Sequence, residues 1–271
     1  MGDSEFEFIR GLVYERSRIN LGLDKRELVS NHFGLRLRTI NATSLTESSR
    51  QLQSTGAEDE LDNPVDVMPP NHRCFFRERA HFDFLKQTAL PELTARISKG
   101  RRPKINVWSA DTSSGEEAYS IALTLAICIP NTPWSIEGTD SSHRFVATAQ
   151  RGVYGEDAVR NLPEGVVRAY FQRGFGLENG QLRVRPELRN LVNFSQLNLL
   201  AEEPEFREPF QIIFCRNVMI YPDRQTQEKL IARLTSRLVP GGYLFIGQGE
   251  TLSNVKHTLR LLRPATYQRP L

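Results

Sequence analysis

The feature that most constrains the fold is a change of pattern at residues 68–71, which read Met-Pro-Pro-Asn. Before this point, apolar residues recur at helical spacing; after it, short apolar runs of strand length alternate with helical segments. Paired prolines cannot continue a helix, so we place a domain boundary here. We expect a helical N-terminal domain over residues 1–67, a linker over 68–74 and a second domain over 75–271.

The alternation after the linker predicts an α/β fold with a mostly parallel sheet covered on both faces. The predicted strands are Ile105–Ala110, Trp134–Thr139, Leu191–Leu197, Phe210–Cys215 and Tyr243–Gly247. A helix broken near Pro91 precedes them, and a final hairpin around Pro264 would add an antiparallel edge. Between these elements, residues 170–190 carry three glycines between short alternating runs, which predicts a small antiparallel insertion. Within it, Gly174, Gly176, Gly180 and residues 183–185 suit a strand edge that could bind a peptide, and they equally suit a plain hairpin.

Composition excludes several classes of protein. With 39% hydrophobic and 25% charged residues, the chain has ordinary globular usage, and no apolar run approaches the roughly 18 residues of a membrane span. The acidic, amphipathic start predicts no secretory signal. Three cysteines without metal-binding spacing predict a reducing cytosol, and five scattered histidines predict no metal. A net charge of +3 is far from that of a dedicated nucleic-acid binder.

Polar residues follow three of the predicted strands, at the sheet edge where open parallel sheets bind ligands. The first strand runs into the sequence DTSSGEE at 111–117 and then a helix. Asp140 ends the second strand, where a carboxylate can accept hydrogen bonds from ribose hydroxyls. Asn198 and Leu199 follow the third strand, where an amide can hydrogen-bond to the edge of an adenine and an apolar side chain can cover its face. Taken alone, the loop after the first strand is as typical of a helix cap, and Asp140 and Asn198 are more typical of a cap or a turn, but their joint order predicts a nucleoside site.

The first loop also discriminates between cofactors. It has one glycine, in contrast to the GxGxxG and GxxxxGK[ST] patterns that bring a backbone close to phosphates. Glu116 and Glu117 would repel phosphate but suit a ligand that carries an ammonium group. S-adenosylmethionine, a nucleoside with an amino-acid tail, meets these requirements.

Three motifs, in this order and spacing, resemble the CheR family of chemotaxis receptor methyltransferases. They are NHRCFFRE at 71–78, VWSADTSSGEEAYS at 107–120 and FCRNVMIY at 214–221. The likeness covers nearly the whole chain and implies a class I, Rossmann-like methyltransferase domain, a small all-α N-terminal domain and an inserted antiparallel β-subdomain. It also implies transfer of the methyl group of S-adenosylmethionine to glutamate side chains on cytoplasmic helices of chemoreceptors. The products would be glutamate methyl ester and S-adenosylhomocysteine, in sensory adaptation.

The same resemblance implies which residues form the site. By matching motif positions, it implies cofactor contacts at Asn71, Arg73, Arg77, Glu117, Asp140, Asn198, Leu199, Cys215 and Arg216. It assigns Arg77 and Tyr221 as the catalytic pair that faces the reacting centre. In some members of the family the β-subdomain grips a peptide at the receptor's carboxyl terminus. The expected protein is cytoplasmic and recruited to receptor arrays, without nucleic acid or membrane insertion. Its oligomeric state stays open, with a monomer as the default expectation.

The chain departs from the family pattern at two places. PPNHRCFFR stands where TNLTxFFR is common, so Arg73 replaces a small hydroxyl residue, and GQGE at 247–250 stands where GHSE is usual. One alternative function is a non-catalytic S-adenosylmethionine-binding scaffold in a signalling array, against which the retained Arg77, Asp140 and Tyr221 argue. Another is a nucleic-acid or small-molecule methyltransferase, against which the absence of an NPPY-type loop argues. For Cys215, which ends an apolar strand, we predict a buried and unreactive thiol.

Overall fold

The computed structural model describes residues 74–97, 104–201, 203, 205–220 and 222–271, together with Asp3, Phe6, Glu7, Arg10, Gly11 and Arg26. The chain divides into two units, one of residues 1–72 with 221–226 and one of residues 73–220 with 227–271. Most of the predicted N-terminal domain and linker lies outside the described residues, as do Asn71, Arg73 and Tyr221. The domain bounds therefore stay a prediction.

The larger unit is built on ten strands and eight α-helices within its described residues. The strands are β1 (Ile105–Ala110), β2 (Trp134–Asp140), β3 (Val153–Gly155), β4 (Phe171–Arg173), β5 (Gln181–Val184), β6 (Val192–Gln196), β7 (Phe210–Cys215), β8 (Leu238–Phe245), β9 (Arg260–Arg263) and β10 (Thr266–Gln268). The helices are α1 (Arg79–Phe84), α2 (Leu90–Ile97), α3 (Glu116–Cys128), α4 (His143–Arg151), α5 (Glu156–Val159), α6 (Glu164–Tyr170), α7 (Pro186–Arg189) and α8 (Arg224–Arg237), the last beginning in the smaller unit. A π-helical turn (Leu85–Ala89) joins α1 to α2, and a 3₁₀ turn (Gly176–Glu178) precedes β5.

Seven strands form one sheet in the order β6-β2-β1-β7-β8-β10-β9. The pairs of β1, β2, β6, β7 and β8 are parallel, whereas β10 runs antiparallel to both β8 and β9. The predicted α/β class, with a mostly parallel sheet and an antiparallel edge, is confirmed. Chain order reverses between β1 and β7, which places the topological switch point at the carboxyl ends of these two strands.

The central strands are apolar throughout because both of their faces are covered. Along β1, Val107 belongs to one hydrophobic cluster and Trp108 to the other, since successive side chains point to opposite faces. Along β7, Phe214 and Ile213 divide between the same two clusters. Burial on both faces explains why the strands are continuous apolar runs rather than alternating patterns.

Two local predictions along the main chain are wrong. The helix does not break near Pro91: the π turn at Leu85–Ala89 comes first, and Pro91 is the second residue of α2, an early position that tolerates the missing N–H. Strand β8 begins at Leu238 rather than Tyr243. The intervening Pro-Gly-Gly reads as a turn, but the strand takes it up as an irregularity in the β7–β8 register, with Gly241 at a φ of 73°.

A second, three-stranded antiparallel sheet has the order β3-β5-β4 and is called the insertion sheet below. Strand β3 lies outside the predicted segment 170–190, because three residues are too short a run for periodicity to detect. Strand β5 is central and Arg183 pairs with residues on both neighbours. Of the two interpretations of residues 183–185, the strand edge is therefore wrong, because the edges of this sheet are β3 and β4.

None of the helices in the described parts of the chain has the length and apolar character that a membrane span requires.

Candidate active site

The carboxyl ends of four parallel strands meet at one edge of the main sheet, which we call the carboxyl edge. Ala110 at the end of β1 pairs with Thr139 of β2 on one side and with Cys215 of β7 on the other. At the end of β6, the amide of Leu197 donates to the carbonyl oxygen of Asp140 at 2.9 Å. The residues that follow these strands, which the sequence singled out as a nucleoside site, therefore line one edge.

Backbone strain is concentrated at this edge. Six non-glycine residues of the described chain have a positive φ, a region that L-residues rarely adopt. Five of them lie in three segments that meet at the carboxyl edge: Phe76 (57°), Glu78 (57°), Asp111 (63°), Ser113 (51°) and Asn217 (64°). Strained backbone persists only where its surroundings hold it, and it clusters at functional sites. Residue spacing carries no signal for this feature.

Asp140 is buried and joins two of the loops. Its Oδ2 atom accepts a hydrogen bond from the Ser113 amide at 2.8 Å, and its Oδ1 atom accepts one from the Ser142 amide at 2.8 Å. The carboxylate thus fixes the loop after β1 to the loop after β2. The turn-capping interpretation of Asp140 is correct as far as these two bonds go.

Gly115 is required by close packing rather than by a phosphate. Its φ is +97°, and a Cβ atom there would lie 2.8 Å from both the Ala149 Cβ atom and the Tyr154 hydroxyl oxygen. The Tyr154 hydroxyl donates to the carbonyl oxygen of Ser114 at 2.8 Å. The loop therefore enters α3 in a single geometry, pressed against α4 and β3.

Glu117 and Arg216, two predicted cofactor contacts, form a buried ion pair with each other. The Nε atom of Arg216 donates to Glu117 Oε2 at 2.5 Å, and Ser109 Oγ donates to Glu117 Oε1 at 2.7 Å. Arg216 is only 7% exposed, and its Nη1 atom donates to the carbonyl oxygen of Arg77 at 2.7 Å. The pair therefore holds the backbone of the residue that the resemblance assigns as catalytic.

Arg77 is half-buried, and its neighbouring carboxylates are bound elsewhere. Arg216 is hydrogen-bonded to Glu78 at 3.4 Å as well as to Glu117. Among the residues that the structure describes, no carboxylate forms an ion pair with Arg77. In particular, Arg77 forms no salt bridge with Glu78 or Glu117, whose carboxylates Arg216 binds.

The segment that carries Arg77 is anchored on both sides. The Phe76 amide donates to Ser120 Oγ of α3 at 2.9 Å. The ring of Phe75 packs edge-on against Tyr154, with centroids 5.1 Å apart. These contacts, together with the bond from Arg216, give Arg77 a defined backbone position.

His81, which sequence analysis did not single out, is buried beside this cluster. Its Nδ1 atom lies 3.3 Å from Glu78 Oε2, and its ring packs against Phe214 and Phe245. Burial lowers the pKa of His81 to about 4, and the positive charges of Arg216 and Arg263 act in the same direction. The imidazole is therefore neutral at physiological pH.

The remaining predicted contacts lie at the same edge in less direct roles. The Oδ1 atom of Asn198 accepts hydrogen bonds from the Leu200 and Ala201 amides at 3.0 and 3.2 Å, so it caps a turn. Leu199 and Cys215 are buried in one hydrophobic cluster. Burial raises the pKa of the Cys215 thiol well above its ordinary value, which keeps it protonated, as the predicted unreactive thiol would be.

A cavity of about 480 Å³ opens beside the carboxyl ends of β2 and β6, and Thr139, Gln196 and Leu197 are among its lining residues. Its volume lies in the usual range for small-molecule sites, and its lining residues adjoin Asp140 and Asn198 in the chain. Within the described ranges, no three side chains of His, Cys, Asp or Glu are grouped as metal ligands would be.

Comparison with known proteins adds a family to this geometry. Residues 71–267 match the model of the CheR methyltransferase S-adenosylmethionine-binding domain. The chain belongs to the CheR methyltransferase family. It is 36% identical over 269 residues to the chemotaxis protein methyltransferase of Escherichia coli, covering 98% of this chain and 91% of that protein. It is also 36% identical over 262 residues to the one of Borreliella burgdorferi, covering 95% and 91%.

A third relative in the CheR family is chemotaxis protein methyltransferase 2 of Pseudomonas aeruginosa, 34% identical over 265 residues, with 97% of this chain and 92% of that protein covered. The family indicated by the three motifs is confirmed, and with it dependence on S-adenosylmethionine. The individual site residues stay predictions. Hydrogen bonds join Arg77, Glu117 and Arg216 in one cluster, and Asp140 holds the loop next to it.

Proposed function

We propose that this CheR-family protein transfers the methyl group of S-adenosylmethionine to glutamate carboxylates on the cytoplasmic helices of chemoreceptors. The observation that carries the proposal is the state of Arg77. Arg216 binds both nearby carboxylates, those of Glu78 and Glu117, so within the described part of the chain no ion pair competes at Arg77 with a carboxylate that arrives from outside. The chemotaxis names of the relatives support a receptor as the source of that carboxylate.

The carboxyl edge suits the cofactor. Asp140 would accept hydrogen bonds from the ribose hydroxyls, and Asn198 and Leu199 would contact the adenine. The cavity of about 480 Å³ is lined by Thr139 and Leu197, which precede Asp140 and Asn198 in the chain. When bound, S-adenosylmethionine supplies a methyl group on a positively charged sulfur, which a carboxylate oxygen can attack directly. The residues of the carboxyl edge would hold the cofactor and the acceptor carboxylate in line.

The proposed reaction needs no general base. A glutamate side chain has an ordinary pKa of about 4.3 and is already ionised at neutral pH. Because a sulfonium and a carboxylate combine to give neutral products, a site that excludes water favours the transition state. What the protein must add is alignment, and a guanidinium that donates two parallel hydrogen bonds to a carboxylate provides it. We assign this role to Arg77, with Tyr221 as a second hydrogen-bond donor.

The insertion sheet is the proposed contact for the receptor's carboxyl-terminal peptide. At the connection between β4 and β5, Phe175 and Leu177 expose 88% and 104% of their surfaces. Large apolar side chains exposed together at a loop tip are typical of a contact surface. The free edges at β3 and β4 would let an extended peptide add as a further strand.

The experiment that tests the proposal uses methyl-labelled S-adenosylmethionine and the soluble cytoplasmic fragment of a chemoreceptor. We expect label on the receptor that mild base releases as methanol, because carboxyl methyl esters hydrolyse readily whereas methylated amines do not. Changing the acceptor glutamates of the receptor to glutamine should abolish the labelling. Cofactor binding without any base-labile transfer would favour the scaffold alternative, and base-stable label would show a different acceptor chemistry.

A further inference from the structure

The loop after β7, residues 216–220, depends on one distant side chain for its backbone hydrogen bonds. The amide of Asn217 donates to Glu250 Oε2 at 2.9 Å, and the amide of Met219 donates to Glu250 Oε1 at 2.7 Å. The amide of Gly247, after β8, donates to Oε2 at 2.6 Å. One carboxylate therefore accepts three main-chain N–H groups and joins the carboxyl ends of β7 and β8.

The surroundings of Glu250 are fitted to a carboxylate. Glu250 is only 7% exposed. Asn217, one of its donors, is held at a φ of 64°. A Cβ atom on Gly247 would lie 2.9 Å from Glu250 Oε2, so only glycine at 247 allows the carboxylate to come this close. The backbone is thus arranged around two acceptor oxygens, and a carboxamide, which has one acceptor and one donor end, could not satisfy all three amides.

The loop that Glu250 holds is the one that supports the candidate site. It begins at Arg216, which binds Glu117 and the carbonyl oxygen of Arg77. The neighbouring loop after β8 contributes as well, since the Gln248 amide donates to Glu78 Oε2 at 3.1 Å. A shift of this backbone would move Arg216 and, through it, Arg77.

We propose that Glu250 is a positioning residue of the methyltransferase site, which in its ionised form sets the backbone of residues 216–220 and thereby the placement of Arg216 and Arg77. As far as methyl transfer is concerned, this inference rests on the proposed function. For cofactor binding it stands on the family's S-adenosylmethionine dependence alone.

The charged and titratable groups around Glu250 decide how it responds to pH. Burial raises the pKa of Glu250 above its ordinary value, and the negative charge of Glu78 raises it further, while the three amide donors oppose the shift. The Cys215 thiol, on which the charge of Glu250 acts, stays protonated because burial raises its pKa. Acidification therefore removes the charge of Glu250 at a higher pH than that of an exposed glutamate.

The test compares Glu250→Gln and Glu250→Asp with Glu208→Gln, by titration with S-adenosylhomocysteine and by methyl-transfer kinetics. Glu208 is an exposed glutamate that accepts a hydrogen bond from Asn106 Nδ2 at 2.9 Å, near the opposite ends of the strands. We expect Glu250→Gln to weaken binding and to lower kcat/KM about ten- to hundredfold, since a charged hydrogen-bond network is lost. Glu250→Asp should recover part of both, and Glu208→Gln should match the wild type.

Circular dichroism and thermal unfolding of each variant separate positioning from folding. A Glu250→Gln protein that is folded and binds and transfers like the wild type overturns the inference. The inference is also overturned if the loss of binding and transfer equals the fraction of the variant that is unfolded. If Glu250→Gln does not fold, Glu250→Asp decides: its shorter side chain should hold the three amides less well and bind S-adenosylhomocysteine more weakly than the wild type, and wild-type affinity in folded Glu250→Asp overturns the inference. Because this affinity needs no acceptor, a wild type that binds but does not methylate receptors refutes the proposed function separately.

Discussion

The carboxyl edge of the main sheet and the insertion sheet both contain paired charged residues, but these are buried at the carboxyl edge and exposed in the insertion sheet. At the carboxyl edge, Arg216, Asp140 and Glu250 are buried and bound to fixed partners. In the insertion sheet, Arg173 pairs with Glu156 at 3.0 Å, but more than half of each side chain is exposed. The tip of the same sheet exposes Phe175 and Leu177.

The difference separates a region that fixes geometry from one that we propose to contact a partner. Buried ion pairs are costly to break, because the remaining charge is left without a partner, whereas exposed pairs contribute little. An enzyme that must align two reactants needs the first kind of region, and one that must recognise a large protein substrate needs the second. The predictions below therefore set variants of one region against variants of the other.

The largest effect is expected for Arg77→Ala. Removing the guanidinium that aligns the carboxylate should lower kcat by about 10³-fold, as loss of a preorganised hydrogen-bond donor does in other active sites. Steady-state methyl-transfer kinetics measure this. Arg79→Ala is the matched control, since Arg79 is exposed and lies two residues away, and it should match the wild type. Near-normal turnover of Arg77→Ala would remove Arg77 from the mechanism.

Arg77→Ala also shows which carboxylate Arg77 binds. If Arg77 holds the methionine carboxylate of the cofactor, the affinity for S-adenosylhomocysteine falls together with kcat. If it holds the substrate glutamate, affinity for S-adenosylhomocysteine is retained while transfer is lost. Calorimetric titration of the variant distinguishes the two cases.

The second comparison breaks one ion pair in each region. Glu117→Ala leaves the buried Arg216 without its closest carboxylate and should lower the free energy of unfolding by about 3 to 5 kcal/mol. Glu156→Ala breaks the exposed pair with Arg173 and should cost less than about 1 kcal/mol. Chemical denaturation of both variants measures the two values. Equal costs would contradict the contrast between the two regions.

His81 makes the carboxyl-edge region sensitive to acid. Its pKa is about 4 in the folded protein, against about 6.5 in the unfolded chain. Between these values the unfolded state binds the extra proton, so stability is present above pH 6.5 and is lost as the pH falls towards 4. The loss from this one group should be on the order of 3 kcal/mol.

Denaturant unfolding of wild type and His81→Phe at several pH values isolates this contribution. The variant should show a smaller loss of stability between pH 6.5 and pH 4, because phenylalanine has no group that takes up a proton. Its ring also suits the aromatic rings that surround position 81. Identical slopes for the two proteins would show that His81 is not the source.

The smallest effect is expected at the tip of the insertion sheet. Replacing both Phe175 and Leu177 by serine should raise KM for the receptor about tenfold, or about 1.4 kcal/mol, and leave kcat unchanged. Leu261→Ser on the edge strand β9 is the control, since Leu261 is also exposed but belongs to the other sheet. A fall in kcat with an unchanged KM would place the tip in the chemistry instead of in recognition.

Much of the fold could be predicted because strands that are buried on both faces appear in the sequence as continuous apolar runs. Strand β7 is found at its full extent, Phe210–Cys215, since an apolar run flanked by polar residues has one interpretation. Strand β3 was missed because three residues carry no periodicity. The break near Pro91 was wrong because a helix can place a proline at its second position after a π turn.

The position of the candidate site could be predicted better than the hydrogen bonds and ion pairs within it. Residues that follow parallel strands must meet at one edge, so Asp140 and the loop after β1 could be expected together. Pairing between side chains that are far apart in the chain, such as Arg216 with Glu117, cannot be predicted from the spacing of residues along the sequence. Glu250 was noted only within the motif GQGE, and its three amide donors are visible only once β7 and β8 lie side by side.

The most direct test of the central claim, a cofactor site at the carboxyl edge built around Asp140, is calorimetric titration with S-adenosylmethionine and S-adenosylhomocysteine. The proteins to compare are the wild type, Asp140→Ala and, as a control on the same strand, Glu137→Ala, with the folded state of each checked by circular dichroism. The account predicts that wild type and Glu137→Ala bind both ligands and that folded Asp140→Ala binds neither. Wild-type affinity in folded Asp140→Ala would contradict it.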